Sequence, residues 1–453
     1  MSTRGVPVNG DVIRRLREEK GWTQEQLAAK TELSKKTIEN AESGQRTTTV
    51  TLGTIAQGLG TDPRSLLKDI PQWIRAWLIT SDAFIEDRAG GFVGREFVFK
   101  AIDRFLDDLG SGYFVIRGEP GIGKSAIVAQ LVKTREFVHH FNIRLQGINT
   151  PQQFLENVCA QVIVRFNLSY SDVPQHAQGS GALLNKVLHE ASHALVAGDK
   201  LVIAIDALDE VNHPSHAENV LYLPPSLPPC VFVVATTRHE VRLQVAQLRV
   251  LELDADSADN MQDTRAYLKG YLSDKRIQVW IKEQNLDRDE FVELLLRKSQ
   301  GNFMYLHYVL PAIAEGEFKE GRPDELPEGL LEYYGGHWNK MRDHDPDVFD
   351  GLYKPVVCVL AAALETVSES HIAEWTGLDV SQVRQVLREW REFLYKERGQ
   401  SDELMYGIYH PSFQEFLQAE VDLELATYHR LIADSIKRKI RKRKDRSSGK
   451  SGN

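Results

Sequence analysis

Gly118-Glu119-Pro120-Gly121-Ile122-Gly123-Lys124-Ser125 follows an apolar run, Tyr113 to Arg117, and opens a stretch of helical spacing, Ser125 to Lys133. A strand that enters a G-x-x-x-x-G-K-[ST] turn and leaves it as a helix is the layout that cradles phosphate. Gly121 and Gly123 let the backbone turn its N–H groups inward, and the helix N-terminus adds partial positive charge. Lys124 then reaches the β- and γ-phosphates of a nucleoside triphosphate, and the Ser125 hydroxyl ligates Mg²⁺. This stretch alone predicts an α/β domain built on a parallel sheet.

The flanking sequence supplies the rest of that sheet. Apolar runs at Phe141 to Leu145, Leu201 to Ile205, Val231 to Ala235 and Val250 to Leu253 alternate with helical segments, the pattern of parallel strands covered by helices. Sites in such sheets gather at the carboxyl ends of strands. There Leu201 to Ile205 runs into Asp206-Ala207-Leu208-Asp209-Glu210. Asp206 is placed to hold Mg²⁺ through water, and either Asp209 or Glu210 to polarise an attacking water. Val233-Val234-Ala235 ends on Thr236-Thr237-Arg238, which puts Arg238 within reach of a γ-phosphate.

At 453 residues the chain is long enough for about three domains. Its net charge of −9 excludes a whole-molecule polyanion binder, so any nucleic-acid contact must be local. Cys159, Cys230 and Cys358 lie far apart and read as buried small hydrophobes in a reducing compartment. The polar opening and the short apolar runs point to the cytoplasm and to no membrane partner. The expected divisions are a helical domain at 1–70, a linker at 71–90, the α/β domain at 91–254, a helical lid at 255–345, a mixed domain at 346–428 and a basic tail at 429–453. Within that tail, eight Lys or Arg residues lie between Lys437 and Arg446. They read as a solvated run or a salt-sensitive nucleic-acid contact.

Together these motifs resemble the STAND class of signalling P-loop ATPases, which includes NACHT and NB-ARC proteins. Phe92-Val93-Gly94-Arg95-Glu96 resembles the patch that precedes the phosphate loop and borders adenine in that class, implying nucleotide contacts from Val93, Gly94 and Arg95. The same resemblance extends the loop's contacts over Gly118, Gly121, Ile122, Gly123, Lys124, Ser125 and Ala126. It makes Lys124, Asp206, Asp209, Glu210 and Arg238 the catalytic set, with Ser125 and Asp206 on the metal. Gly301-Asn302-Phe303 resembles the Gly-x-Pro segment of the lid, with Phe303 where the proline stands and an aromatic ring able to stack on a base. Tyr409-His410-Pro411-Ser412-Phe413 resembles the winged-helix motif, making His410 the residue that touches the β-phosphate of ADP. The implied ligands are ATP or ADP and Mg²⁺.

The N-terminus has a second resemblance. Ile13 to Ala28 is similar to Cro/XRE-type helix-turn-helix domains, with Thr23 and Gln26 spaced as a capping box. Ser34-Lys35-Lys36-Thr37-Ile38-Glu39-Asn40 would begin the recognition helix. The resemblance directs Gln24, Ser34, Lys35, Lys36, Thr37 and Asn40 towards DNA. Glu32, Glu39 and Glu42 bring negative charge to the same face, so a protein-docking module of identical fold stands beside a DNA reader.

The implied function is a nucleotide-operated switch. ADP holds a closed form, and ATP permits homo-oligomerisation that slow hydrolysis reverses. The output is transcription control or anti-phage defence, with a separate sensor or effector protein as partner. The alternative is a DNA-binding regulator in which the nucleotide is only structural. No segment resembles a helicase motif.

Overall fold

Four helices open the chain, each begun by a side chain that accepts a backbone N–H. They are α1 (Gly10–Glu19, capped by Asn9), α2 (Gln24–Thr31, by Thr23), α3 (Lys35–Glu42, by Ser34) and α4 (Thr49–Leu59, by Thr48). Such caps satisfy N–H groups that have no partner within the helix. Thr23 and Gln26 form the expected capping box. Ile13, Leu27, Ile38, Leu52 and Ile55 are fully buried and make the small core of this region. The computed structural model describes all residues except 1–5, 69–70, 171–180, 213–218, 319–321, 364, 399–402, 421–424, 436 and 438–453. Apart from Lys437, the basic run to Arg446 lies outside the described residues.

The chain forms two compact units. One comprises Met1–Glu119, Gly123–Asn142 and Ile148–Asp263; the other comprises Pro120–Ile122, Ile143–Gly147 and Thr264–Asn453.

In the first unit, α5 (Gln72–Trp77), α6 (Asp82–Ala89) and α7 (Glu96–Asp108) lead into β1 (Gly112–Gly118). There follow α8 (Lys124–Arg135), β2 (Val138–Phe141), α9 (Pro151–Phe166), α10 (Ala182–Ala194), β3 (Leu201–Asp206), β4 (Val231–Thr237) and β5 (Leu248–Leu253). The five strands form a parallel sheet in the order β2-β3-β4-β1-β5. Burial on both faces explains the unbroken apolar runs of β3 and β4.

The expected strand at Phe141 to Leu145 is displaced. The chain pairs with β3 through Val138-His139-His140-Phe141, and Arg144–Gln146 is a 3₁₀ turn. Two histidines hid this strand from an apolar-run criterion. Polar groups meet them inside: Gln161 accepts from the His139 N–H at 3.0 Å, both Gln161 and Asn157 donate to the His139 carbonyl, and Asn157 Nδ2 lies 3.2 Å from His140 Nδ1. Asn142 ends the strand by donating to the Asp206 carbonyl at 2.7 Å. The cysteines also split: Cys159 and Cys358 are buried, but Cys230 is exposed at the turn before β4.

The helix-turn-helix region packs on the α/β core within this unit. Arg46, just after α3, donates to the Val164 and Arg165 carbonyls at 2.9 and 2.8 Å, filling acceptors at the end of α9. Asp82 of α6 lies against Gly53 of α4, where a Cβ would fall 2.1 Å from the carboxylate.

Helix α11 (Ala258–Tyr271) runs from the first unit into the second, and α12 (Lys275–Glu283), α13 (Arg288–Ser299), α14 (Phe303–Glu315) and α15 (Gly329–His344) follow. Further along, β8 (Leu404–Ile408) has β7 (Leu394–Arg398) and β6 (Val367–Ser368) beside it. These three make an antiparallel sheet in the order β6-β8-β7, flanked by helices Lys354–Ala362, Glu369–Thr376, Val380–Glu389 and Pro411–Glu420.

Candidate functional site

Because β1, β3 and β4 are parallel, their carboxyl ends meet along one edge, bringing Gly118, Asp206 and Thr237 to the start of α8. Gly123, with φ +95°, occupies a conformation that side chains rarely adopt and passes the chain into the helix at Lys124. The Lys124 ammonium folds back to donate to the Gly118 and Glu119 carbonyls at 2.6 and 2.9 Å. Burial pushes its pKa down to about 8, while the charges of Asp209 and Asp206 oppose the fall. Ala126 is half-buried one residue beyond Ser125.

Asp206 ends β3 almost fully buried. Its Oδ1 accepts from the Thr236 hydroxyl at 2.5 Å, and the Ser125 hydroxyl is near enough to favour its charged form. Burial raises the carboxyl pKa, and the Thr236 and Ser125 hydroxyls together with Lys124 pull it back. Thr236 Oγ1 in turn accepts from the Ala207 N–H at 2.9 Å, which helps hold Ala207 at φ +52°. The ends of β3 and β4 are thereby pinned to each other beside the loop.

Arg238 closes the edge. Its backbone N–H donates to Asp209 Oδ1 at 2.9 Å, its Nε lies 3.1 Å from Asp209 Oδ2, and its Nη2 lies 3.5 Å from Glu210. All three side chains are largely withdrawn from water, with exposures of 15%, 3% and 10% for Arg238, Asp209 and Glu210. The proposed sensor and the two candidate acids are therefore one ionic cluster.

Upstream, Val93 is exposed and Gly94 half-buried, whereas Arg95 is buried at φ +70° as it starts α7. Asp263 fixes Arg95: it accepts from the Arg95 N–H at 3.0 Å and lies 3.8 Å from Nη1. The other guanidinium nitrogen, Nη2, lies 3.8 Å from where a Cβ on Gly123 would sit. Arg95 thus carries its charge to the phosphate loop. Burial lowers its pKa and the Asp263 charge offsets that.

In the second unit, Gly121 and Ile122 lie against the N-terminus of α14. Asn302 caps that helix, its Oδ1 accepting from the Met304 and Tyr305 N–H groups at 3.0 and 3.2 Å. Its Nδ2 donates to the Pro120 carbonyl at 2.9 Å, and the Met304 N–H also donates to the Gly121 carbonyl at 3.1 Å. Phe303 packs edge-on against Tyr267, with ring centroids 5.5 Å apart. His410 Nδ1 lies 2.6 Å from the Ser412 hydroxyl and accepts from the Ser412 N–H at 3.3 Å. Accepting at Nδ1 puts the proton of a neutral ring on Nε2, making that atom a donor. Tyr334 braces Ser412 at 3.1 Å, and Tyr409 stacks on His307.

Hydroxyl and carboxylate oxygens at Ser125 and Asp206 are the hard donors that Mg²⁺ prefers, with phosphate and water completing its shell. Among the described residues no group of three or more His, Cys, Asp or Glu is placed to hold an ion without such help. The glycine conformations and the half-buried lysine fit a phosphate chain in the loop.

The recognition face is differently built. Ser34 caps α3 through the Thr37 N–H, and the Ser34 and Thr37 hydroxyls lie 2.8 Å apart. Lys35 is paired closely with Glu25, Lys36 lies 3.7 Å from Glu39, and Gln24 donates to Glu42 at 2.8 Å. Asn40 is half-buried and gives its carbonyl to the Ser43 hydroxyl. Glu42 itself is buried: desolvation acts to raise its pKa, but Arg17 and Gln24 outweigh it and hold the carboxylate low. Of the residues directed towards DNA, Gln24, Lys35 and Lys36 therefore already carry carboxylate partners.

Thr236, Asn302 and Asp263 were not among the residues singled out from sequence. Thr236 stands beside the expected Arg238, and its hydroxyl at a buried strand end was the available signal. Asn302 and Asp263 gave none, because their partners lie 182 and 168 residues away.

A helix-turn-helix family model matches residues 13–66. NACHT domain- and WD repeat-containing protein 1 of Homo sapiens is 27% identical over 130 residues, a match spanning 26% of this chain and 8% of that protein. Among solved structures, the chain is similar to a Signal Transduction ATPase with Numerous Domains (STAND) protein with a tetratricopeptide repeat sensor from Pyrococcus horikoshii. That likeness has 13% identity, covers 75% of this chain and 44% of the other, and has a TM-score of 0.40. It is also similar to the RuvB Holliday junction branch migration motor of Thermotoga maritima, at 13% identity, 72% and 95% coverage and a TM-score of 0.28. At TM-scores below 0.5 neither structural likeness bears on function. No helix among the described residues is long and apolar enough to cross a membrane.

Proposed function

We propose that this chain is an ATP/ADP-operated switch of the STAND type whose helix-turn-helix region delivers or receives the signal. The observation that carries this reading is the linked edge of the sheet. Lys124 leads α8 with Ser125 next to it, Thr236 bonds Asp206, and Arg238 ties Asp209 to Glu210. Each group stands at the end of a parallel strand or the start of a helix, where phosphate and Mg²⁺ sites are built.

In this reading Lys124 leaves the Gly118 and Glu119 carbonyls to neutralise the β- and γ-phosphate oxygens. Ser125 and Asp206 would hold Mg²⁺, which when bound would supply charge neutralisation at the phosphates. Asp209 or Glu210 orients water, and their pairing with Arg238 restrains them until a γ-phosphate competes for the guanidinium. Turnover is then slow, as suits a timer. By the family resemblance, His410 would contact the β-phosphate of ADP and Phe303 its base. Arg95 reinforces the loop's positive field. The helix-turn-helix residues, with the basic run after them in sequence, bind DNA or a partner protein, giving transcriptional or defence output.

A switch shifts populations only as far as its ligands differ in affinity for the two states. Sizing the purified protein in ADP, ATP and a slowly hydrolysed analogue, with and without DNA, tests this. A mass that rises with ATP or its analogue and falls back with ADP is expected. Nucleotide binding with one unchanging mass would overturn the switch and leave a regulator with a structural nucleotide.

A further inference from the structure

The amides that would face a phosphate are set by whatever holds the opposite edges of their peptide planes. In a trans peptide the C=O and the next N–H point in opposite directions, and no cis bond occurs among the described residues. The Pro120 carbonyl is fixed by Asn302 Nδ2 at 2.9 Å, and the Gly121 carbonyl by the Met304 N–H at 3.1 Å. Both anchors lie on the same side, at the start of α14. The N–H groups of Gly121 and Ile122, across those same two peptides, are therefore directed away from α14.

Asn302 performs two tasks with separate atoms. Oδ1 caps α14 through the Met304 and Tyr305 N–H groups, and Nδ2 holds the loop. The fit is tight: a Cβ on Gly121, already at φ +82°, would fall 2.3 Å from Asn302 Oδ1 and 2.8 Å from Nδ2. The glycine thus gives this loop its curvature and also makes room for the asparagine.

We infer that Asn302 is a positioning residue for phosphate recognition: by anchoring the Pro120 carbonyl it pre-orients the Gly121 amide, and by placing the Met304 N–H it does the same for Ile122. The inference rests on the nucleotide reading above. Pre-orientation removes an ordering cost that the ligand would otherwise meet on binding.

The two tasks can be separated by substitution. Asn302→Ser and Asn302→Asp both retain an oxygen that caps a helix well, and neither offers the amide donor to Pro120. ADP affinity measured by calorimetry, with the melting temperature of the nucleotide-free protein, distinguishes the roles. For Asn302→Ser an unchanged melting temperature and roughly tenfold weaker ADP binding are expected, the scale of one lost hydrogen bond. Asn302→Asp should weaken binding further, since its carboxylate faces both the Pro120 carbonyl and the incoming phosphates. Wild-type ADP affinity in both variants would reduce Asn302 to a helix cap and overturn the inference, as would an affinity loss that only tracks a fall in melting temperature. Wild-type protein that binds neither ADP nor ATP would defeat the nucleotide reading, and this inference with it, before any variant is compared.

Discussion

The phosphate edge and the recognition helix use the same chemistry, cations against carboxylates, in opposite surroundings. Arg238, Asp209 and Glu210 retain side-chain exposures of 15%, 3% and 10%, whereas Lys35 and Glu25 retain 50% and 59%, and Lys36 and Glu39 77% and 38%. Charges withdrawn from water need their partners, because an orphaned one has no solvent to fall back on. Charges in water exchange partners at little cost, and salt screens them. The first arrangement holds a defined geometry, which on the proposed nucleotide reading a γ-phosphate would have to compete to open. The second leaves a face on which a polyanion can displace carboxylates.

Removing one member of each cluster separates them most strongly. Arg238→Ala strands two buried carboxylates and should lower unfolding stability by on the order of 3 kcal/mol in urea titrations. Lys35→Ala should change it by about 0.5 kcal/mol or less. Equal losses would erase the distinction.

Asp82 sharpens the contrast, being a largely enclosed carboxylate with no cation against it among the described residues. Burial, with help from Glu86, pushes its pKa from 3.8 up to about 6. The folded state then holds the proton more tightly than the unfolded chain does. Its contribution is full below about 3.8 and is lost as pH rises through about 6. Asp82→Asn, which cannot ionise, should raise the melting temperature at pH 7.5, with the gain fading towards pH 4. A gain independent of pH would contradict this origin.

The smallest effect lies on the recognition face. Glu39→Gln with Glu25→Gln should leave stability nearly unchanged yet strengthen binding to non-specific duplex DNA severalfold at low salt, with the difference shrinking as salt rises. No change in DNA binding would favour a protein partner for this face.

What could be read in advance follows from range. The loop, the acidic strand end and the helix caps are local patterns, and Gly123, Asp206, Thr23 and Ser34 take the conformations or positions their neighbours imply. His139 and His140 defeated the strand reading because their burial depends on Asn157 and Gln161, which a hydropathy pattern does not register. Asn302 read only as part of a lid segment, since an N-cap looks the same whether or not its second atom reaches Pro120. Glu25 was likewise hidden: the recognition helix showed its lysines, while the carboxylate that meets Lys35 comes from α2. Contacts across the fold turned a list of charged residues into clusters.

The direct test of the nucleotide site is a calorimetric titration of ATP, with Mg²⁺, into wild-type protein and Lys124→Ala. Saturable binding to the wild type at one site per chain, abolished in a folded Lys124→Ala protein, is the expected result. Binding of equal affinity in both proteins would contradict the assignment of the phosphate loop.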